Sequence, residues 1–481
     1  MSITWTFASP EGSGPDEPPH VVRAASIARG QLVGDADPVE RGGSRIVEVP
    51  QLVDNLNAVP NCYKFLPLRS AACAPSLSGS GDLVETRTPA GAAPPLYYGL
   101  VAPPLALGTS SRVIELVRVL SALISAALVA SAITLARAAG TSRFFLVGLF
   151  ASLTPSAVFI SGVVNPSSLE ISSAILLWTS TILLFTDKAS KSGRLDRMLA
   201  VAAAVSGALF VLARQLSPLW LAMIGVIVLV SSSWSHVRRS LRRVDLRIAA
   251  VVIVAATVAA VAWLRIEKPL ASQTGLGLHR EGFDAIAFAV GHLGYVYRSG
   301  IARFGWLDYE APNGVIVLWS IVLGALVLLG LAVAPRKVKL AIVLLGIGAI
   351  VVPVLIEASQ LDTLGPTWQG RYTIPLIMGV PLLCGLVLDR VEPVVAHVID
   401  RLVPWLLGAM AIAQLLAFYF TLRRYVVGAN GRVWFVGADG WDPVLPVAVL
   451  LSLTVLGVVL LYGWLATLAP DSGDRTLRTA A

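Results

Sequence analysis

Two adjacent carboxylates, Asp16 and Glu17, stand near the start of the chain, ahead of a long series of apolar segments. They precede two prolines, which are favoured in the first turn of a helix, and a helix is predicted from His20 to about Arg29. Negative charge is favoured at a helix N-terminus, so both carboxylates should stay ionised near neutral pH. Ionised carboxylates serve as a general base or as ligands of a divalent cation such as Mg²⁺ or Mn²⁺.

His20 extends this acidic pair into a candidate site. It lies at i+3 from Glu17 and at i+4 from Asp16, so the three side chains can face one point. Two interpretations remain open. In one, Asp16 only caps the helix; in the other, Asp16 and Glu17 are catalytic or hold a cation, and His20 contacts the substrate.

Glu170 is a further candidate, because it lies about one turn into an apolar segment that begins near Asn165 and Pro166. Ionisable groups within spans are costly and usually face the interior of the helix bundle. Near the end of a span the cost is smaller, so substrate binding and snorkelling to the interface both remain open.

Arg214 and Arg371 lie at ends of apolar segments where a basic residue is not needed to set topology. This leaves anion binding or interfacial anchoring, and the guanidinium fork matches phosphate well. Gly370 would let a ligand approach the backbone closely. We expect Arg214, Arg371 and the adjacent Tyr372 to contribute to a binding site for a phosphate-bearing substrate.

The composition places these groups in a membrane protein. The chain is 56% hydrophobic and 14% charged, whereas about a quarter of a typical soluble domain is charged. Apolar stretches long enough to cross a bilayer predict an all-α polytopic fold with about eleven transmembrane helices, near 113–137, 144–163, 168–186, 198–213, 216–231, 247–265, 314–334, 338–357, 373–389, 403–422 and 444–466. The fourth and fifth are alternatively one helix that is broken between Arg214 and Pro218.

The net charge of +8 does not indicate a nucleic-acid partner, because the basic surplus lies in short connections between spans. By the positive-inside rule these connections face the cytoplasm; they contain Lys188, Lys191, Arg194, Arg197, Arg238, Arg239, Arg242, Arg243, Arg247, Arg336, Lys337 and Lys339. The predicted organisation is an extracytoplasmic loop domain at 1–112, helices at 113–265, an extracytoplasmic segment with an interfacial helix at 266–313, helices at 314–466 and a cytoplasmic tail at 467–481.

The predicted location of residues 1–112 has two consequences. No signal peptide precedes them, so we expect a twelfth, N-terminal span upstream of Met1. Cys62 and Cys73 lie in this domain, where an oxidising compartment permits a disulfide; two free thiols are the alternative.

These motifs together resemble the bacterial membrane family called domain of unknown function 2142. The resemblance rests, in chain order, on Pro15-Asp16-Glu17-Pro18, the cysteine pair, Pro95-Leu96-Tyr97-Tyr98, Asn165-Pro166 with Glu170, Arg214 before Ser217-Pro218-Leu219-Trp220, Phe304-Gly305-Trp306-Leu307-Asp308 and Gln369-Gly370-Arg371-Tyr372. The family usually has a span ahead of the acidic motif, which also suggests a missing first helix.

The layout of that family is similar to the C-type glycosyltransferases, polytopic enzymes with an acidic motif in the first outer loop. This similarity implies that Asp16 is the catalytic base or a metal-linked acidic residue, with Glu17 beside it. It also implies an enzyme of the bacterial plasma membrane that moves a sugar from a polyprenyl-phosphate donor to a cell-envelope acceptor. A transporter or flippase of lipid-linked glycans and a non-catalytic envelope assembly subunit remain as alternatives.

Overall fold

The structure, a computed structural model, describes residues 1–39, 43–141, 143–186, 193–240, 242–268, 277–391 and 401–467. The predicted tail beyond residue 467 lies outside the described residues. Lys188 and Lys191, in the connection between two predicted spans, also lie outside them. The helices are α1 (Ser2–Phe7), α2 (Glu17–Ala28), α3 (Gln51–Asn55), α4 (Leu96–Val101), α5 (Ser111–Ala138), α6 (Arg143–Ser152), α7 (Pro155–Ser161), α8 (Ser167–Thr186), α9 (Gly193–Val211), α10 (Ser217–Ser231), α11 (Trp234–Ser240), α12 (Val244–Glu267), α13 (Gly282–Ala302), α14 (Asn313–Val333), α15 (Arg336–Leu364), α16 (Gly370–Ile377), α17 (Gly379–Leu388), α18 (Val403–Val427) and α19 (Val447–Thr467). The strands are β1 (Asp35–Ala36), β2 (Arg45–Pro50), β3 (Leu83–Thr88), β4 (Arg303–Phe304) and β5 (Tyr309–Glu310).

The helices confirm an all-α, multi-pass membrane fold. Within the described ranges, eight segments are long and apolar enough to cross a membrane, and each coincides with a predicted span: α5, α8, α12, α14, α15, the pair α16–α17, α18 and α19. The predicted span at 144–163 is instead two helices, α6 and α7, which meet at a bend of 67°. The predicted spans at 198–213 and 216–231 correspond to α9 and the shorter α10, which are separate helices.

The bundle has central and peripheral spans. In both α8 and the α16–α17 pair, 89% of an apolar stretch of 18 residues is buried, whereas the buried share is 22% in α12 and in α19. Central helices approach each other closely at positions where a glycine has no side chain. A Cβ on Gly148 of α6 would lie 2.2 Å from the Pro381 carbonyl oxygen, and one on Gly385 of α17 would lie 2.5 Å from that of Phe144. Small residues at both crossings therefore let α6 and α17 pack backbone against backbone.

The N-terminal domain lies at one end of this bundle. Its predicted helix is present as α2, and the domain also contains an antiparallel sheet of order β1-β2-β3 that the sequence analysis did not include. In β2, Val47 and Val49 alternate with more exposed residues and are buried, as expected for a strand with one face against a core. Cys62 and Cys73 form a disulfide in this domain.

Arg118, one of the charged residues in the span α5, connects the N-terminal domain to the bundle. Its Nε and Nη2 atoms donate to the two carboxylate oxygens of Glu17, each at 2.6 Å. The side chains are 1% and 0% exposed, respectively. The guanidinium also donates to the backbone carbonyls of Thr6, Ser9 and Pro10. Every nitrogen of the buried cation therefore has a partner.

Glu17 is equally well satisfied. Its oxygens accept the backbone N–H groups of Gly14, at 3.0 Å, and Val164, at 2.9 Å, in addition to the two bonds from Arg118. The carboxylate thus joins three segments of the chain and has no solvent-exposed oxygen. This geometry fits a structural role and does not fit the catalytic or metal-binding role predicted for Glu17.

Replacing Arg118 with methionine should destabilise the protein strongly, because a buried carboxylate would lose its counter-ion. Breaking one side of a buried pair costs about 3–5 kcal/mol. The double variant Glu17→Gln/Arg118→Met should recover much of this loss. The measurement is the free energy of unfolding in mixed detergent micelles, and Arg112→Met, at an exposed position of the same helix, is the control. Equal stability of the two arginine variants would contradict the assigned role.

Candidate functional site

A cavity of about 470 Å³ lies between the N-terminal domain and the adjoining ends of the spans. Its polar wall contains most of the predicted site residues: Asp16, His20, Arg214, Arg371 and Tyr372, together with Tyr98 and Asn165. Among the described residues, Asp16 is the sole carboxylate in this lining. The fold therefore brings together side chains that are far apart in sequence, such as Asp16 and Arg371, which are 355 positions apart.

Asp16 stands at the N-cap position of α2, but its side chain does not cap the helix. It has left-handed backbone angles, with φ at 60° and ψ at 18°, and its side chain makes no capping hydrogen bond. The capping interpretation is therefore wrong. Its Oδ2 atom instead accepts a hydrogen bond from Arg371 Nη2 at 2.7 Å, and the side chain remains 50% exposed. The carboxylate is both ion-paired and open to the cavity.

The backbone on both sides of Asp16 is held in place. Left-handed angles at a non-glycine residue cost about 1–2 kcal/mol, so surrounding contacts must stabilise them. Asn165 Nδ2 donates to the Pro15 carbonyl at 2.9 Å, and Glu17 accepts the N–H of Gly14. These bonds aim the Asp16 side chain at Arg371.

Arg371 lies in the first turn of α16, and the residue is 6% exposed. Its Nε and Nη1 atoms have no hydrogen-bond partner among the described residues. A buried charged donor without a partner is energetically costly, so the site is suited to an anion that brings several acceptor oxygens. Phosphate has this property.

Gly370 has a different role from the one predicted. A Cβ there would lie 2.1 Å from the backbone nitrogen of Gly300 in α13. Its N–H donates to Ser299 Oγ at 2.9 Å. The close approach is thus between α13 and α16, and it positions Arg371 without involving a ligand.

Tyr372 separates the two arginines of the cavity. The Cζ atoms of Arg214 and Arg371 lie 4.3 and 5.2 Å from the centre of its ring. A cation over an aromatic face is stabilised by the ring quadrupole. One tyrosine therefore helps to hold two like charges on the same wall.

Glu170 lies behind Arg214 and not in the cavity lining. It is 1% exposed, its Oε1 accepts from Ser217 Oγ at 2.8 Å, and its Oε2 is 3.7 Å from Arg214 Nη1. Arg214 Nη1 also donates to Ser167 Oγ at 2.6 Å. Glu170 does not snorkel to the interface, and its position fits orientation of Arg214 better than the predicted contact with substrate.

His20 is predicted to be neutral in this site. Burial, together with the nearby positive charges of Arg371 and Arg214, lowers the pKa of His20 to about 3, although Asp16 opposes the shift. Its Nδ1 lies 2.9 Å from the hydroxyl of Tyr98. Burial alone would raise the pKa of Asp16, but the charge and hydrogen bond of Arg371 hold it below its ordinary value. The carboxylate is therefore ionised at neutral pH.

The donor set of the cavity does not suit a protein-held divalent cation. Asp16 is paired with Arg371, and Glu17 is directed towards Arg118. In the part of the chain that the structure describes, no group of three His, Cys, Asp or Glu side chains is placed to hold a metal. Mg²⁺ and Mn²⁺ prefer several oxygen ligands, and this cavity supplies one carboxylate.

Two contributors to the site were not predicted from the sequence. The role of Arg118 was predictable, because an arginine within an apolar span usually has a specific buried partner. Tyr98 belongs to a tyrosine pair that is part of the family motif and also suits the membrane interface, and nothing in the local sequence indicates its contact with His20.

The low pKa of His20 predicts acid sensitivity. The unfolded chain takes up a proton as the pH falls below the ordinary value of 6.5, whereas the folded chain does so only near 3. Stability should therefore decrease across that window as the pH falls. The melting temperature, measured from about pH 7 to about pH 5, should fall less for His20→Gln than for the wild type. His279→Gln, at a side chain that is 93% exposed, is the control and should behave as the wild type; an unchanged pH dependence in His20→Gln would disprove the assignment.

Comparison with known proteins gives a family and an overall likeness. The family model described as "Predicted membrane protein (DUF2142)" matches residues 1–380. No curated protein matches the chain in sequence. Two solved structures resemble it: ArnT from Cupriavidus metallidurans in the apo state, with 15% identity, a TM-score of 0.46 and coverage of 96% of this chain and 70% of that one, and ArnT from the same organism bound to undecaprenyl phosphate, with 17% identity, a TM-score of 0.42 and coverage of 99% and 78%.

Proposed function

We propose that this chain, which belongs to the DUF2142 family of predicted membrane proteins, is a membrane glycosyltransferase. It transfers a sugar from a polyprenyl-phosphate donor to a cell-envelope acceptor. One observation carries the proposal: the half-exposed carboxylate of Asp16 lies 2.7 Å from the buried guanidinium of Arg371 in a cavity next to the membrane spans. A base and a phosphate-binding cation are the two groups that this transfer requires.

The cavity suits a lipid phosphate better than a soluble one. In the described part of the chain, two donor atoms of Arg371, Nε and Nη1, have no partner, and Arg214 adds a second positive charge beside it. The lining also includes the apolar side chains of Leu216, Ile356 and Leu364. A phosphate on the arginines would therefore leave its hydrocarbon chain against apolar side chains.

In the proposed reaction, an acceptor hydroxyl attacks the anomeric carbon of the donor sugar. The new bond joins the acceptor oxygen to that carbon, and the bond from carbon to the phosphate oxygen breaks. Asp16 takes the hydroxyl proton, and the lipid phosphate leaves with its negative charge. Arg371 and Arg214 stabilise that charge, which is greater in the transition state than in the bound donor.

Donor binding also prepares Asp16 to act as a base. In the resting site the Asp16 carboxylate is paired with the Arg371 guanidinium. This positive charge makes the carboxylate a weak base. A phosphate bound to Nε and Nη1 competes for the same guanidinium and weakens its hold on Asp16. The pKa of Asp16 then rises towards the range in which a carboxylate accepts a proton effectively.

The proposed orientation places the cavity on the extracytoplasmic side of a bacterial plasma membrane. Arg336 begins α15, and Leu364, at the other end of that helix, lines the cavity. Basic residues such as Arg336 therefore lie at the opposite face of the membrane, where the positive-inside rule places the cytoplasm. The disulfide at Cys62 and Cys73 is in agreement with an oxidising environment for the N-terminal domain.

Asp16→Asn should lower transfer at least about 100-fold, because loss of a general base typically costs 10²- to 10⁴-fold. Arg371→Gln should lower it similarly by removing charge stabilisation of the leaving phosphate. The assay uses purified, reconstituted protein with radiolabelled polyprenyl-phosphate sugars, and it scores both glycosylated product and lipid translocation. Asp82→Asn, at an exposed carboxylate in the N-terminal domain, is the control.

Four outcomes of this assay are distinguishable. Loss of product in Asp16→Asn with normal folding supports the enzyme. Undiminished transfer in that variant removes Asp16 from the mechanism. Translocation of the labelled lipid by the wild type without any product indicates a flippase, and neither activity indicates an assembly subunit.

Treatment with EDTA should leave the transfer rate within about twofold of the untreated protein, because charge stabilisation comes from the arginines. The test compares chelated protein with samples that are resupplied with Mg²⁺ or Mn²⁺. Loss of activity that either cation restores would contradict this expectation and favour the metal-linked role first considered for Asp16.

A further inference from the structure

A pair of adjoining cavities lies at the other end of α8 and α9 from the candidate active site. Glu170 and Arg214 mark the site end of these helices, whereas Leu184 and Gly193 mark the opposite end and line one of the two cavities. The 20 residues of α8 span about 30 Å. The two cavities therefore open near the other face of the membrane.

The larger cavity, of about 1110 Å³, has a cationic wall built from α9, α11 and α12. Arg243 in this wall is already neutralised, because its Nη1 and Nη2 atoms lie 2.5 Å from Asp196 and Asp245. Among the described residues, the Arg239 guanidinium makes one hydrogen bond, of 3.4 Å, to the Ser235 carbonyl. Arg197 has no ion-pair partner in the described ranges, so two guanidiniums remain available to an anion.

The second cavity, of about 780 Å³, is a groove between α5 and α9 with a largely apolar lining. Leu128 and Leu135 of α5 face Met198 and Val205 of α9 across it. Arg197 and Val201 belong to the linings of both cavities. A charged pocket and an apolar groove thus adjoin each other along α9, which suits an amphiphilic ligand.

Trp234, at the start of α11, indicates that this region meets a lipid surface. Its side chain is 59% exposed, and Arg238 Cζ lies 5.3 Å from the centre of its ring. Exposed tryptophans beside basic residues are typical of the membrane interface. Basic pockets between transmembrane helices on the cytoplasmic side recognise anionic lipid head groups.

We infer that these cavities bind an anionic phospholipid of the cytoplasmic leaflet. The phosphodiester lies between Arg197 and Arg239, and one acyl chain lies in the groove along Met198, Val201 and Val205. A soluble phosphate would use the arginines and leave the groove empty, so the apolar groove beside the arginines favours a lipid. The inference does not depend on the activity proposed for the opposite face.

The test measures lipid binding to the purified full chain by native mass spectrometry in detergent micelles. The micelles contain dioleoylphosphatidylglycerol or dioleoylphosphatidylcholine. Arg197→Gln/Arg239→Gln should weaken phosphatidylglycerol binding about tenfold, because each basic residue near a lipid surface contributes appreciably to the attraction. Arg336→Gln/Lys339→Gln removes the same charge from exposed positions of α15 and should change binding less than about twofold.

A second variant tests the groove. Val201→Trp should fill the space between α5 and α9, and it should reduce retention of phosphatidylglycerol while Arg197 and Arg239 remain. Only variants whose melting temperature equals that of the wild type are compared. If Arg197→Gln/Arg239→Gln unfolds, the single variant Arg197→Gln replaces it. Equal binding of the two lipids, equal loss in both double variants, or displacement of phosphatidylglycerol by inorganic phosphate at equal concentration would overturn the inference.

Discussion

The buried ion pair between Arg118 and Glu17 is the interaction on which the site depends. A guanidinium inside an apolar span is tolerated only when all its donors are satisfied, and here one carboxylate and three carbonyls satisfy them. The same carboxylate binds the N–H groups of Gly14 and Val164. One charge pair thus joins the acidic loop, α5 and the start of α8, and Asp16 is the next residue along that loop.

This arrangement explains why adjacent carboxylates have opposite surroundings. Glu17 is fully buried, whereas the side chain of Asp16 is 50% exposed. The left-handed backbone at Asp16 turns its side chain away from that of Glu17 and towards Arg371. The energy of this strained conformation is supplied by the neighbouring bonds, including the one from Asn165. The buried pair of Arg118 and Glu17 therefore helps to position the reactive pair of Asp16 and Arg371.

The charged groups on and next to α8 and α9 lie near the two ends of these helices. Arg214 with Glu170 lies at one end, and Arg197 lies in the cavities at the other. Charges at span ends cost less than charges at the centre, which is why both proposed binding sites are near a membrane face. The two sites serve different lipids in the proposed scheme, a sugar carrier on one side and a structural phospholipid on the other.

Apolar runs in the sequence were sufficient to predict the all-α membrane fold and most of its spans, because the length of a bilayer-crossing helix is set by the hydrocarbon thickness. Residue chemistry was sufficient to select Asp16, His20, Arg214 and Arg371 as candidates. Periodicity could not distinguish the roles of Asp16 and Glu17, since both precede the same helix. Only long-range contacts distinguish the two roles, because Arg118 and Arg371 come from distant spans and surrounding contacts hold the left-handed backbone of Asp16.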